Sequence, residues 1–305
     1  MNIGFMCAMA NNGIRTLDEI IEEIQSAEAL GLHQAWMPQI FSTDAITALS
    51  IAGRSTTSIR LGTAVTPTYP RHPTTMALQV LTASAATNGR FDLGIGLSHK
   101  LVIEDMYGIP YSRPARHMQE YLEVLMPLLN GEPCSQAGDI FSVNATFDIP
   151  DAKPTNVVIA ALGPRMLEVA GTLADGTSTW MTGPKTLETH TIPLISKAAT
   201  KAGRTAPRIV ASFPIVLCSD AEAVREKVAR KIAVYRDIPS YKNMLELEGV
   251  DDPVELAMIG DEQSLRKDLQ RLADLGVNDF NAFCYPLGDD SAGRTLEFLA
   301  NERFN

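Results

Sequence analysis

Short apolar runs alternate with longer amphipathic stretches along the whole chain. Residues 3–8 read as a buried strand. Thr16-Leu17-Asp18-Glu19 then forms a capping-box sequence, and Leu17, Ile20, Ile21, Ile24, Ala27 and Leu30 follow at helical spacing. Gly31 is placed to stop that helix. The alternation repeats with strands over 34–38, 60–67 and 91–96, separated by helices over 45–56 and about 74–87. An intervening segment of some 60 residues contains a helix over 113–129 and an irregular stretch over 130–150. Strands over 157–162, 177–181, 208–218 and 279–285 complete the set. Helices are predicted over 165–174, from Ala221 onward and over 294–299.

Eight strands each followed by a helix imply parallel strands joined by helical crossovers. Such a chain closes as a (β/α)8 TIM barrel. An open doubly wound sheet is the alternative, weakened by the absence of G-x-G-x-x-G at the first strand. No low-complexity linker divides the chain, so residues 1–305 are expected to form one domain. The excess length falls into insertions after strands four and seven, the second spanning 236–264 and helical.

Composition narrows the partners. The chain has 305 residues, 45% hydrophobic and 20% charged, with a net charge of −10. That balance is globular and disfavours nucleic acid and anionic membranes. Yet residues 54–117 hold seven Lys/Arg against three Asp/Glu, and three of the five histidines. A local basic patch on an acidic protein suggests a small anionic ligand. The first residues carry no basic n-region, and Asn11-Asn12-Gly13 and a polar helix come too soon for a secretory signal. No apolar run reaches 18 residues, so a cytoplasmic protein without a spanning helix is expected. Cys7, Cys134, Cys218 and Cys284 lack metal-type spacing and read as free thiols, Cys7 and Cys284 more as core than as pocket lining.

In a barrel, ligands bind at the C-terminal ends of the strands. That rule selects Cys7 and Ala8 after strand one, Met37, Pro38 and Gln39 after strand two, and Thr63, Ala64, Val65 and Thr66 at strand three. It selects Gly96, Ser98, His99 and Lys100 after strand four, Gly163 to Met166 after five, and Trp180 to Gly183 after six. Phe213 follows from strand seven, and Cys284 and Tyr285 from strand eight. The basic window then falls on the loops after strands three and four.

Gly163-Pro164-Arg165 ends a strand and starts a helix. Free N–H groups in such a turn bind phosphate, with Arg165 as a forked donor; the other reading is a tight turn without a ligand. Gly94 and Gly96 would let a cofactor approach the backbone. His99 behind them would exchange a proton near neutral pH, or simply face solvent. His72 reads either as a ligand contact or as a helix cap, and His117 as an exposed helix face more than as a substrate contact. Trp36 and Trp180 are core aromatics or supports for a flat ring. No G-x-S-x-G, Walker loop, H-E-x-x-H or metal-type cluster occurs.

Several motifs in order resemble the luciferase-like (bacterial luciferase) superfamily. They are Arg60-Leu61-Gly62-Thr63-Ala64-Val65-Thr66-Pro67 with Tyr69 and Arg71-His72-Pro73, and Gly89-Arg90-Phe91-Asp92-Leu93-Gly94-Ile95-Gly96. Ala160-Ala161-Leu162-Gly163-Pro164-Arg165-Met166, with Ala170-Gly171 and Ala174-Asp175-Gly176, resembles its fifth unit. Ser98-His99, Tyr107-Gly108, Arg113-Pro114, Arg116-His117-Met118 and residues 179–184 resemble the branch that uses the deazaflavin coenzyme F420.

The resemblance implies a deazaflavin or isoalloxazine ring held against a bulge after strand three, with a non-prolyl cis bond at Ala64–Val65. It implies cofactor contacts at Gln39, Thr63, Ala64, Val65, Gly96, Ser98 and His99, and phosphate at Gly163, Pro164, Arg165 and Met166. It makes His99 the leading proton donor for hydride transfer at the deazaflavin C5. Arg71, His72, Lys100, Arg113, Arg116 and Trp180 would meet the substrate or the anionic polyglutamyl tail. Gln39 stands where some relatives carry a histidine, which argues against sugar-phosphate dehydrogenase activity. The methanogenic pterin reductases would carry an acidic residue at the end of strand one, which this chain lacks. A homodimer acting on a small molecule is implied as well. The rivals are an FMN-dependent monooxygenase using oxygen, a non-catalytic flavin-binding barrel and a flavin-free phosphate-sugar enzyme.

Overall fold

The apolar runs pair side by side in a computed structural model that describes residues 1–9, 15–287 and 290–304. Asn11-Asn12-Gly13 lies outside the described residues. The strands are β1 (Asn2–Met6), β2 (Gln34–Met37), β3 (Arg60–Thr63), β4 (Phe91–Gly96), β5 (Val157–Ala160), β6 (Gly176–Trp180), β7 (Arg208–Leu217) and β8 (Asp279–Cys284). All neighbours pair in parallel, and β6 pairs with β7 while β8 pairs with β1. The sheet therefore closes as a (β/α)8 barrel, which excludes the open alternative.

Helices α1 (Leu17–Leu30), α2 (Ala45–Arg54), α3 (Pro73–Ala86), α4 (Pro114–Leu129), α5 (Pro164–Leu173), α6 (Ile192–Lys201), α7 (Ala221–Ile232), α8 (Pro239–Glu248), α9 (Glu262–Asp274) and α10 (Ser291–Asn301) cover the sheet. The α1 cap forms as its sequence dictates. The Glu19 backbone N–H donates to the Thr16 hydroxyl at 3.3 Å, and the Thr16 backbone N–H to the Glu19 carboxylate at 2.7 Å. Gly31 ends the helix at φ 87°, a conformation that favours glycine.

Both insertions are present, with boundaries that differ from expectation. The stretch over 130–150 contains an antiparallel hairpin, Cys134–Ala137 with Ser142–Ala145. The α4 carboxylate of Glu120, fully buried, accepts N–H bonds from Ile140 at 2.7 Å and Phe141 at 3.1 Å and so fixes the hairpin turn. The second insertion begins at α7, not at residue 236. Strand β7 is ten residues long and outruns its neighbours. Its upper end pairs with a short strand, Met258–Gly260, and α7 packs on a separate apolar cluster with Val254 and Ile259. Helix α9 is the one that leads into β8.

The third strand is also interrupted. Leu61 and Gly62 sit opposite Phe91 and Asp92, whereas Thr66 and Pro67 sit opposite Ile95 and Gly96. One extra residue is thus accommodated on the strand-three side, a β-bulge. The Ala64–Val65 bond within it is cis. Gly94 and Gly96 make the bulge possible. A Cβ at Gly94 would lie 1.9 Å from the Thr63 carbonyl oxygen, and one at Gly96 would lie 2.6 Å from Val65 Cγ2. The Thr63 hydroxyl donates to the Gly94 carbonyl at 2.7 Å and accepts from the Gly94 N–H at 2.9 Å.

Alternate residues on the strands fill the barrel in layers. At the N-terminal end Arg208 spans the interior, ion-paired to Asp92 at 3.0 Å and also to Asp279. Arg60 pairs with Asp92 at 2.6 Å, and Gln34 donates to Asp279 at 2.6 Å. Trp36 donates to Gln34 at 2.7 Å and packs with Val158 and Val210 in the next layer, where a Cβ at Gly62 would meet its ring at 2.5 Å. Trp36 is thus core, with no access to a ligand.

Candidate active site

The C-terminal strand ends surround a cavity of about 360 Å³. The bulge residues Ala64 and Val65 form part of its lining, with Ala160, Ser178 and Ser212 from the neighbouring barrel layer. Ile40, Phe41 and Tyr107 line one side; Trp180, Tyr235, Tyr241 and Phe283 line another. None of the described lining residues is Asp, Glu, Lys or Arg.

Strand parity corrects several expected positions. Met6 and Met9 line the cavity, whereas the Cys7 thiol is buried and donates to the Trp36 carbonyl at 3.5 Å. Ser212 lines it, whereas Phe213 lies in the surrounding core against Phe280, with ring centroids 6.4 Å apart. Phe283 lines it, while Cys284 and Tyr285 do not. A strand turns successive side chains to opposite faces, so an error of one residue exchanges cavity for core.

Of the predicted cofactor contacts, Gln39, Ala64, Val65, Ser98 and His99 do line the cavity. Gln39 is fixed by its own loop, accepting from the Ala45 N–H at 2.8 Å and donating to the Ile40 carbonyl at 3.1 Å. Thr63 and Gly96 are buried behind the lining, where they build the bulge. Ser98 adopts a left-handed φ of 60° and projects the loop over the mouth. His99 follows at the rim, its ring centroid 6.0 Å from that of Tyr241. Partial burial lowers its imidazole pKa from the ordinary value, which favours the neutral form.

Gly163 is the N-cap of α5, and no side chain caps that helix. Nothing stands within 4 Å of the position a Gly163 Cβ would take. Leu162, one residue earlier, lines the cavity. Pro164 and Arg165 are exposed, and Arg165 makes no hydrogen bond or ion pair among the described residues. Met166 packs against the core. The helical segment after β6 contrasts with this open turn. There Glu248 from α8 accepts from the Lys185 N–H at 3.1 Å and the Thr186 N–H at 2.7 Å.

The basic window is not an unpaired groove. Arg60 and Arg90 lie at the N-terminal end, where Arg90 donates to the carbonyls of Gly53 and Ile59 at 2.8 and 2.7 Å. Toward the mouth, Arg71 pairs with Asp44, Lys100 with Glu104 at 3.7 Å, Arg113 with Asp139 at 3.3 Å and Arg116 with Glu120 at 2.6 Å. His72 caps α3, with its Nδ1 accepting from the Thr74 N–H at 3.3 Å. His117, expected on an exposed face, is 4% exposed. It stacks on Tyr69 at 3.9 Å and bonds the Thr68 hydroxyl at 3.0 Å, and burial pulls its pKa down to about 4. Trp180 lines the cavity as expected. Tyr235 and Tyr241 were not predicted: they come from the insertion after β7, whose charged sequence carries no signal that it folds back over the mouth.

The closed parallel barrel, with an apolar cavity at its C-terminal strand ends, a strand-three bulge and an open helix-five start, defines the class as a (β/α)8 TIM barrel. The chain belongs to the luciferase-like monooxygenase family, whose model matches residues 1–289. It is 28% identical over 236 residues to the 5,10-methylenetetrahydromethanopterin reductase of Methanolobus tindarius, covering 77% of this chain and 72% of that protein. The F420-dependent tetrahydromethanopterin reductase of Methanopyrus kandleri superimposes with a TM-score of 0.82 at 23% identity, over 99% of this chain and 97% of that one. The FMN-bound oxygenating constituent of 3,6-diketocamphane monooxygenase from Pseudomonas putida superimposes with a TM-score of 0.78 at 16% identity, over 99% and 97%. Among the described residues no helix is long and apolar enough to cross a membrane, and no group of three or more His, Cys, Asp or Glu could hold a metal.

Proposed function

We propose that this protein is an F420-dependent oxidoreductase that moves a hydride between the deazaflavin C5 and a small organic substrate. The observation that carries the cofactor class is the first turn of α5. It is uncapped, open at Gly163, flanked by the unpaired Arg165 and joined to the cavity through Leu162. The N–H groups of Arg165 and Met166 and the Arg165 guanidinium fit a phosphate there, as the helix dipole favours negative charge. F420 is preferred because the named relatives include an F420-dependent reductase.

Ala64 and Val65 would support the ring face, with Gln39 and Ser98 at its edges. When bound, the cofactor supplies or accepts the hydride. The apolar mouth orients the substrate and excludes water. His99 holds the proton that the substrate gains or loses, and its lowered pKa favours the neutral imidazole, the form able to accept that proton. The family resemblance extends the reading to a homodimer in the cytoplasm.

A second reading, an FMN-dependent monooxygenase, is favoured by one observation. Arg71, Lys100, Arg113 and Arg116 are all satisfied by carboxylates within the chain, so a polyglutamyl tail would have to compete for them. Parallel equilibrium titration of the apoprotein with F420 and FMN tests the choice. Tighter F420 binding is expected, and exclusive FMN binding would overturn it.

A further inference from the structure

Six aromatic rings form a continuous series, five of them along one side of the mouth and Tyr285 behind it. His99 meets Tyr241 at 6.0 Å between centroids, Tyr241 meets Tyr235 at 5.1 Å, and Tyr235 meets Trp180 at 5.8 Å. Trp180 meets Phe283 at 5.8 Å, and Phe283 meets Tyr285 at 5.1 Å. All five contacts are inclined by 60–83°, the edge-to-face geometry that aromatic rings prefer. Five of the six rings, those of His99, Tyr241, Tyr235, Trp180 and Phe283, line the cavity.

The charge around this wall is arranged to stay out. No Asp, Glu, Lys or Arg is among the described lining residues, and the rim cations are bound to carboxylates outside the cavity. The lip is apolar instead. Phe41 and Tyr107, both lining residues, expose 57 and 43% of their surface. Burial raises the pKa of both Tyr235 and Tyr241, so their phenols stay neutral across the physiological range.

We infer that the substrate is an uncharged, apolar, ring-bearing molecule, selected by Tyr235 and Tyr241 on the insertion after β7. An ionised carboxylate or phosphate on the substrate would enter the cavity with no cation to meet it, and burying an unpaired charge is strongly unfavourable. A flat ring would instead extend the edge-to-face series. The inference rests on the functional reading above for the chemistry, but the selectivity belongs to the cavity alone.

The test is saturation-transfer NMR on the F420-loaded protein with acetophenone and 4-acetylbenzoate, two ketones that differ by one carboxylate. Acetophenone is expected to bind at least about tenfold more tightly. Tyr235→Leu and Tyr241→Leu are each expected to weaken acetophenone by about three- to tenfold. Tyr241→Phe, which keeps the ring, is expected to retain affinity. Equal or tighter binding of 4-acetylbenzoate by the unmodified protein overturns the inference, whatever the variants do. F420 retention is measured first by equilibrium dialysis. If F420 does not bind, the F420-dependent reading falls, and the affinity ratio measured on FMN-loaded or cofactor-free protein still decides the substrate class.

Discussion

At the N-terminal end of the barrel, Arg208 and Arg60 face Asp92 and Asp279, with Gln34 completing the network. At the C-terminal end, a cavity of about 360 Å³ has no charged side chain among its described lining residues. Both ends are layers of the same eight strands. The difference shows where charge is structural and where it is withheld. The lower network balances two cations against two carboxylates. The upper layer places small residues where the lower one has long ones, with Ala64, Ala160, Ser178 and Ser212 leaving room for a flat molecule.

The comparison is broken most strongly from below. Arg208→Ala leaves Asp279 buried and Asp92 short of one partner. A loss of about 3–5 kcal/mol in unfolding free energy is expected in urea titration, because removing one member of a buried ion pair strands the other. At the mouth, His99→Ala is expected to lower turnover by roughly 100-fold or more with the cofactor Kd nearly unchanged, and its stability should match the parent. Steady-state kinetics with parallel cofactor titration checks both quantities.

His117 offers a pH test outside both ends. Its folded pKa is about 4, against 6.5 for the free group. Below pH 6.5 the unfolded chain therefore takes up a proton that the folded chain refuses. Stability should fall by about 2–3 kcal/mol between pH 6.5 and 4, and His117→Phe should flatten that part of the curve. Glu28 titrates lower, near 2, because the N–H groups of residues 57–59 hold its charged form, so its loss appears only below about pH 4.5. The smallest effect is expected at the first turn of α5, the proposed phosphate seat. Arg165→Ala should weaken cofactor binding by about tenfold and leave a cofactor lacking the phosphate unaffected.

The barrel was legible because its period is written in the apolar runs, and all eight strands lie where those runs place them. The layer that faces the cavity was legible only in part. Residues flanking strand ends were selected by position, and for Cys7, Phe213 and Cys284 the neighbouring residue faces inward instead. Face assignment depends on a parity that a short run of uniformly apolar residues does not reveal. Gly94 and Gly96 carried a clear signal with a different cause. They admit the strand-three bulge, and through it shape the cavity. His117 was misread because its helix face is covered by the hairpin after α4, a long-range contact. Tyr235 and Tyr241 reach the mouth by the same kind of contact, through an insertion whose own sequence looks solvent-facing.

The proposed seat of the cofactor beneath His99 can be tested without knowing the substrate. In the NMR spectrum of the protein labelled at the histidine imidazoles, His99 is assigned with His99→Gln and titrated before and after F420 is added. Its apo pKa is expected below 6.5. Added F420 should shift the His99 resonance and titration while those of His117 stay in place. Bound F420 with an unperturbed His99 would contradict the account.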